Sequence, residues 1–305
     1  MAAPPNDADS QASAAAPLCA APDPDPRPPA RRLPADACDC HAHICGPASA
    51  FDYDPARIYT PPDALLPDYR AMLATLGLSR AVLVQPSVYG TDNRVLLKAL
   101  SDMGSCARGV AVVDPAVEDR TLDALHGAGV RGARLNLVDV ADPSATLPLD
   151  EARALAARIA RLGWHVEFLV HVDNVPDLDS QFADFPAPVV FGHLGYFRPG
   201  QDPDVPGFQA LLRLLKGGRA WVKLTGPYRI SAEPAPYADT DPFARALLEA
   251  APDRVVWGSD WPHVMVKSAM PNDGTLADIL CGWAGDTATL ERVLVDNPKE
   301  LYGFD

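Results

Sequence analysis

Eight short apolar runs, each joined to the next by a helix-like stretch, dominate the chain from residue 34 onward. They are ACDCHAHIC (37–45), AVLVQPS (81–87), ARGVAVVD (107–114), VRGARLNL (130–137), WHVEFLVHV (164–172), PVVFGHLG (188–195), AWVKLTG (220–226) and RVVWGSDW (254–261). The intervening stretches, such as DYRAMLATLGL, EARALAARIARLG and FQALLRLLKGG, repeat apolar residues three and four apart, as one face of a helix does. Strands that alternate with helices pair in parallel through βαβ units. Eight such units in roughly 270 residues predict an α/β fold, a closed (β/α)8 TIM barrel. The alternative, an open doubly wound sheet, calls for a Gly-x-Gly-x-x-Gly turn after the first strand. The first run is followed instead by GPASAF.

The barrel takes residues 34–305 as a single domain. Residues 1–33 are rich in Ala, Pro and Asp, with no basic segment followed by an apolar one as a secretory signal would have. They are expected to form a disordered extension. The formal net charge of −14 argues against a nucleic-acid surface, which needs a basic face. No apolar run approaches the ~18 residues of a membrane span. The six cysteines contain no Cys-x-x-Cys pair, so free buried thiols in a reducing cytoplasm are expected.

Catalytic groups of such a barrel sit at the C-terminal ends of the strands and in the loops after them. That rule sorts the histidines. His41 and His43 end the first run, His171 the fifth and His193 the sixth, while Asp260 ends the eighth. In an extended strand residues two apart share a face, so His41 and His43 point together. Four strand ends that carry imidazoles and a carboxylate converge on one mouth, which packing alone does not require. His165 begins its run and belongs to the barrel floor. His126 lies on a helix face and is expected to be solvated. His263 follows the eighth run and is a mouth residue. A serine nucleophile at Ser87 would call for a Gly-x-Ser-x-Gly elbow, and VQPSVYG is not one.

Further polar residues fall at the same mouth: Tyr59, Ser87, Tyr89, Arg134, Asn136, Arg198 and Arg229. Guanidinium forks bind carboxylates or sulfonates in pairs of hydrogen bonds. Three arginines at the mouth of an acidic protein point to a small anionic substrate, with Arg134 best placed because it lies within a strand.

The stretches DCHAHICGP, YTPPDA, VQPSVYGTDN, RGVAVVDP, GVRGARLNL, GHLG, WGSDWPH and DNPKELYG together resemble the amidohydrolase superfamily. Within it they are similar to the amidohydrolase-2 branch that holds the pyrone-dicarboxylate and sulfomuconolactone lactonases. The resemblance runs from about Asp36 to Gly303 and implies a TIM barrel and a hydrolase of carboxylic esters. Asp260 would activate water as general base. His41, His43 and His193 would stabilise the oxyanion, directly or through one divalent metal, Zn or Mn, on His41, His43, His171 and Asp260. The metal-independent lactonase of the branch lacks a histidine at the position of His171. Leu169 stands where it has a tyrosine, Val264–Met265 where an asparagine is expected, and no second arginine follows Arg134. The implied substrate is therefore a carboxylated lactone of aromatic-acid catabolism, of pyrone-dicarboxylate or muconolactone type. The alternative on the same fold is a metal-dependent decarboxylase of an aromatic or unsaturated acid.

Overall fold

The computed structural model describes residues 16–140 and 147–305. Eight strands lie in one parallel sheet in chain order: β1 (Cys38–Ala42), β2 (Arg80–Val84), β3 (Ala107–Ala111), β4 (Val130–Asn136), β5 (His165–Leu169), β6 (Val189–Phe191), β7 (Ala220–Leu224) and β8 (Val255–Trp257). The helices between them are α1 (Leu66–Leu76), α2 (Arg94–Met103), α3 (Asp119–Gly127), α4 (Leu149–Ile159), α5 (Leu178–Gln181), α6 (Pro206–Lys216) and α7 (Asp241–Ala250). After β8 come α8 (Asp273–Ala284), α9 (Thr287–Glu291) and α10 (Asn297–Tyr302). The predicted (β/α)8 barrel is thus the fold. Each long helix buries one stripe, as α2 does with Val95, Leu96, Ala99 and Leu100. Each buried aliphatic side chain of this kind stabilises the fold by about 1.5–3 kcal/mol.

Strand β1 is bulged. Its register on β2 runs Cys38 to Arg80 and Asp39 to Ala81, then Ala42 to Leu83, so it holds one residue more than its partner. A bulge of this kind reverses the alternation of side chains beyond it. Before it, Cys38 and Cys40 pack in the barrel interior with Val82, Val84, Val110, Val190, Trp221, Val256 and Tyr302. Beyond it, His41 reaches Lys223 and Glu167 of the same interior. Without the bulge the cysteines and the histidines would face opposite ways. With it, all four point inward, the thiols toward the floor and the imidazoles toward the mouth. The six cysteines are all free.

Closure joins β1 to β8 through buried polar contacts. His43 donates its backbone N–H to the Trp261 carbonyl and Asp260 donates to the His41 carbonyl, both at 2.7 Å. The Asp39 carboxylate ties the same seam. It accepts from Ser259 N (2.8 Å), Ser259 Oγ (2.5 Å), His41 N (3.1 Å) and Tyr69 Oη (3.0 Å). The strands come so close that a Cβ at Gly258 would lie 2.5 Å from the His41 nitrogen, which only glycine accommodates.

Of the amino-terminal segment 1–33, residues 1–15 lie outside the described residues. From Ala16 the chain runs along the barrel. Leu18 bridges to Thr60, and Cys19 Sγ accepts from Met265 N. Arg27 pairs with Asp278 at 2.7 Å, and Leu33 is buried. Residues 16–33 thus take hydrogen-bond partners from the barrel wall. His126 is corrected: it is partly buried, and its Nδ1 accepts from Trp164 Nε1 at 3.0 Å. His165 lies in the floor as expected, edge-on to Tyr302.

If the Asp39 clasp holds the seam, Asp39→Ala strands four buried donors and lowers unfolding stability by about 3 kcal/mol or more. Asp39→Asn, which keeps an acceptor, loses less than half of that. Urea denaturation checks both; an alanine variant as stable as the parent protein refutes the clasp.

Candidate active site

The mouth gathers four of the expected residues at its base. His41 comes from β1 and His43 follows it, His193 follows β6 and Asp260 follows β8, and each is at most 4 % exposed. His41 Nε2 and His43 Nε2 both lie 3.7 Å from Asp260 Oδ1. The His41 ring is 5.0 Å from that of His43 and 5.2 Å from that of His193. His193 and Asp260 hold left-handed backbone angles, φ 49° and 66°, a conformation that costs non-glycine residues about 1–3 kcal/mol and clusters at functional sites.

Each side chain is anchored from behind. His43 Nδ1 faces the Val84 carbonyl at 2.8 Å. A carbonyl only accepts, so Nδ1 carries a proton, and in the neutral tautomer Nε2 presents a lone pair to the site. His193 Nδ1 lies 2.9 Å from Thr225 Oγ1. Asp260 Oδ2 accepts from Tyr228 Oη at 2.5 Å and Arg229 Nε at 2.6 Å. Among the described residues, Asp260 Oδ1 and His41 Nε2 are buried with no protein partner. Buried polar atoms left open in this way mark a place for a ligand, a water or a metal. The His41–His43–Asp260 group could hold a divalent metal, since its donor atoms lie within 4.8 Å of one another and are of the type zinc and manganese accept.

Electrostatics keep the base charged and the rings of His41 and His193 neutral. Burial alone would raise the Asp260 carboxyl, but the Arg229 guanidinium and the neighbouring imidazoles outweigh it and hold it well below the usual carboxylate range. Burial pushes His193 down to about 3. Burial, followed by the Lys223 charge, pushes His41 down as well.

The other expected residues divide. His263 is buried, with Nδ1 3.1 Å from Tyr228 Oη and Nε2 3.1 Å from Asp273 Oδ1, so it braces the tyrosine that holds Asp260. Arg229 is likewise engaged with Asp260 and with the Val264 carbonyl. Arg134 is buried, and its Nε has no partner among the described residues. Tyr59 Oη and Ser87 Oγ face one another at 3.5 Å. Tyr89 differs from expectation, because its hydroxyl accepts from Gly46 N at 2.7 Å and so pins the loop after β1. Asn136 caps its own loop through the backbone N–H groups of Val138 and Asp139. Arg198 is half exposed and paired with Asp173 and Asn174, so it serves the surface. His171 falls outside the metal-compatible group. Strand β5 ends at Leu169, and the ring turns so that Nδ1 meets the Tyr196 carbonyl at 2.6 Å. It lines, with Tyr196, Tyr228, Arg229, Val138 and Lys267, a cavity of about 680 Å³ above the site.

Three residues that matter here were not singled out from sequence: Glu167, Lys223 and Tyr228. Glu167 and Lys223 were visible as lone charges inside the apolar runs WHVEFLV and AWVKLTG, where an unpaired charge is costly. They form a buried ion pair at 2.6 Å directly beneath His41.

Buried neutral histidines make stability pH-dependent. His165 and His193 are pushed down to about 3, and His41 is lowered too. The unfolded chain takes up these protons near pH 6.5, so below that pH the unfolded state binds more protons and stability falls. Asp39, pushed up to about 6 by burial, acts in the opposite sense, but one carboxyl does not offset three rings. Unfolding free energy is therefore expected to decline steadily from pH 6.5 to pH 5 in urea titrations. A flat or rising profile would mean that the rings are charged in the folded state.

A 2-pyrone-4,6-dicarboxylate hydrolase of Comamonas testosteroni is 39% identical over 287 residues, covering 91% of this chain and 93% of the relative. A 4-sulfomuconolactone hydrolase of Rhizobium radiobacter is 35% identical over 273 residues, covering 89% and 91%. The crystal structure of an Agrobacterium tumefaciens protein in its apo form superposes with a TM-score of 0.82 at 31% identity, covering 91% of this chain and 99% of that one. The family described as Amidohydrolase (Amidohydro_2) matches residues 38–304, and the chain belongs to that family, as a hydrolase whose relatives are lactonases.

Proposed function

We propose that this protein opens a carboxylated lactone by attack of water on the acyl carbon. The observation that carries the reading is the pairing of an ionised, oriented carboxylate with the imidazoles of His41, His43 and His193 around two unpartnered atoms, Asp260 Oδ1 and His41 Nε2. Asp260 is fixed through Oδ2 by Tyr228 and Arg229, which leaves Oδ1 to take a proton from water as general base. A proton-bearing imidazole nitrogen aimed at the carbonyl oxygen stabilises the charge that develops there. His193, across from His41, is the group proposed for that role. As the ring opens, the acyl–oxygen bond breaks and the released alkoxide needs a proton, which Asp260 now carries.

A divalent ion on His41, His43 and Asp260 would add Lewis-acid polarisation of the carbonyl. The residue types and spacing suit one, provided that His41 offers a lone pair at Nε2. His171, turned toward Tyr196, is proposed to face substrate in the cavity instead.

Arg134 is proposed to bind the substrate's anionic group, since its buried Nε has no protein partner among the described residues. Arg229 already neutralises Asp260, and Arg198 is paired at the surface. A single strongly placed guanidinium favours a lactone with one principal acidic group, of the muconolactone kind, over a symmetrical dicarboxylate. The relatives' names fit a role in aromatic-acid catabolism.

Two variants test the assignment in assays that follow loss of lactone absorbance. Asp260→Asn, which keeps the shape but not the base, is expected to lower kcat by about 10²–10⁴-fold. Arg134→Met is expected to raise KM by about 10–100-fold, the loss of a charged hydrogen bond, with a smaller effect on kcat. Full activity in the first, or an unchanged KM in the second, overturns the corresponding role.

A further inference from the structure

Beneath the proposed site, Lys223 occupies the barrel interior with no exposure to solvent. An ammonium group has three N–H donors and no acceptor. Three acceptors surround this one. Nζ lies 2.9 Å from the Cys40 carbonyl, 2.6 Å from Glu167 Oε2 and 3.2 Å from His41 Nδ1. An ammonium cannot accept, so the contact with His41 has one possible direction: Lys223 donates and Nδ1 accepts. The other group near that nitrogen, Glu167 Oε1, is 3.5 Å away, at the outer edge of hydrogen bonding. A neutral ring whose Nδ1 accepts carries its proton on Nε2.

His43 is set the opposite way, because the Val84 carbonyl requires a proton on its Nδ1. With a neutral His43 ring the site presents one donor, His41 Nε2–H, and two acceptors, His43 Nε2 and Asp260 Oδ1, the acceptor oxygen lying 3.7 Å from each ring nitrogen. That pattern matches a water molecule. Its two hydrogens go to Asp260 and His43, one lone pair accepts from His41, and the second lone pair is free to attack. A metal ion needs lone pairs from all three groups, which the ring of His41 cannot supply while Lys223 holds its Nδ1.

We propose that Lys223 is a positioning residue that fixes His41 as an Nε2–H donor and thereby sets the His41–His43–Asp260 group to hold the attacking water in preference to a metal ion. The inference rests on the lactone-opening reading for the word "attacking", but the proton placement stands or falls without any substrate.

The test uses the full chain labelled with ¹⁵N in its histidine rings and treated with chelator, with the His41 signals assigned by their loss in His41→Asn. In the parent protein, His41 is expected to show a protonated Nε2 and a bare Nδ1. The double variant Lys223→Met/Glu167→Gln removes both members of the ion pair together. With the ammonium gone, nothing obliges Nδ1 of His41 to accept, and the amide carbonyl of Glu167→Gln can accept a hydrogen bond from it. Zinc titration of that variant is expected to show affinity raised by about 10–100-fold, the usual effect of a changed partner behind a ligand histidine. A parent protein with a proton on His41 Nδ1 overturns the proposal whether or not the variant folds. So does a folded variant with unchanged tautomer and unchanged zinc affinity. Neither readout involves turnover, so a failed lactone assay with the expected tautomer would count against the proposed function and not against Lys223.

Discussion

The seam between β1 and β8 is the constraint on which the rest depends. A barrel is a sheet with no edges, and this one closes where its chemistry lies. The Asp39 carboxylate, buried and taking four hydrogen bonds, binds the start of β1 to Ser259. Two backbone bonds continue the seam to His43 and Asp260. Because Asp260 is bonded through its own N–H to the His41 carbonyl, the base and the imidazole are placed by the same contact that closes the fold. Gly258 allows the two backbones to approach that closely. Stability and geometry of the site are therefore one problem in this molecule.

The interior above the floor is unusually charged for a protein core. Lys223 pairs with Glu167, and Arg229 pairs with Asp260. Buried ion pairs add little net stability against well-packed apolar residues, so their presence calls for another account. Here each pair abuts a site residue. The first pair touches His41 Nδ1 and sets what its other nitrogen offers. The second keeps Asp260 ionised in a place where burial alone would protonate it. Both pairs exchange stability for a defined pattern of donors and acceptors.

Much of this was legible in the sequence. The eight runs and their helical spacers predict the barrel because periodicity is a local property of the chain. The convergence of His41, His43, His193 and Asp260 follows from the rule that strand ends share one mouth. The bulge in β1 was not legible, since DACDCHAHICGP reads as regular alternation and the extra residue shows only in pairing with β2. His171 stands at the right strand end, but β5 finishes early and its ring turns to Tyr196. Arg198, Arg229 and Tyr89 looked available for substrate because sequence shows a residue's chemistry and not its existing partners. Glu167 and Lys223 could have been found, as paired opposite charges on two otherwise apolar strands.

The central claim is that water, held by Asp260, attacks the acyl carbon of a lactone. Hydrolysis of a carboxylated muconolactone in ¹⁸O-enriched water, with the product weighed by mass spectrometry, tests it most directly. The account predicts one ¹⁸O atom per turnover, located in the newly formed carboxylate, and no release of carbon dioxide. Label in the product hydroxyl, an isomerised product without label, or loss of carbon dioxide would contradict it.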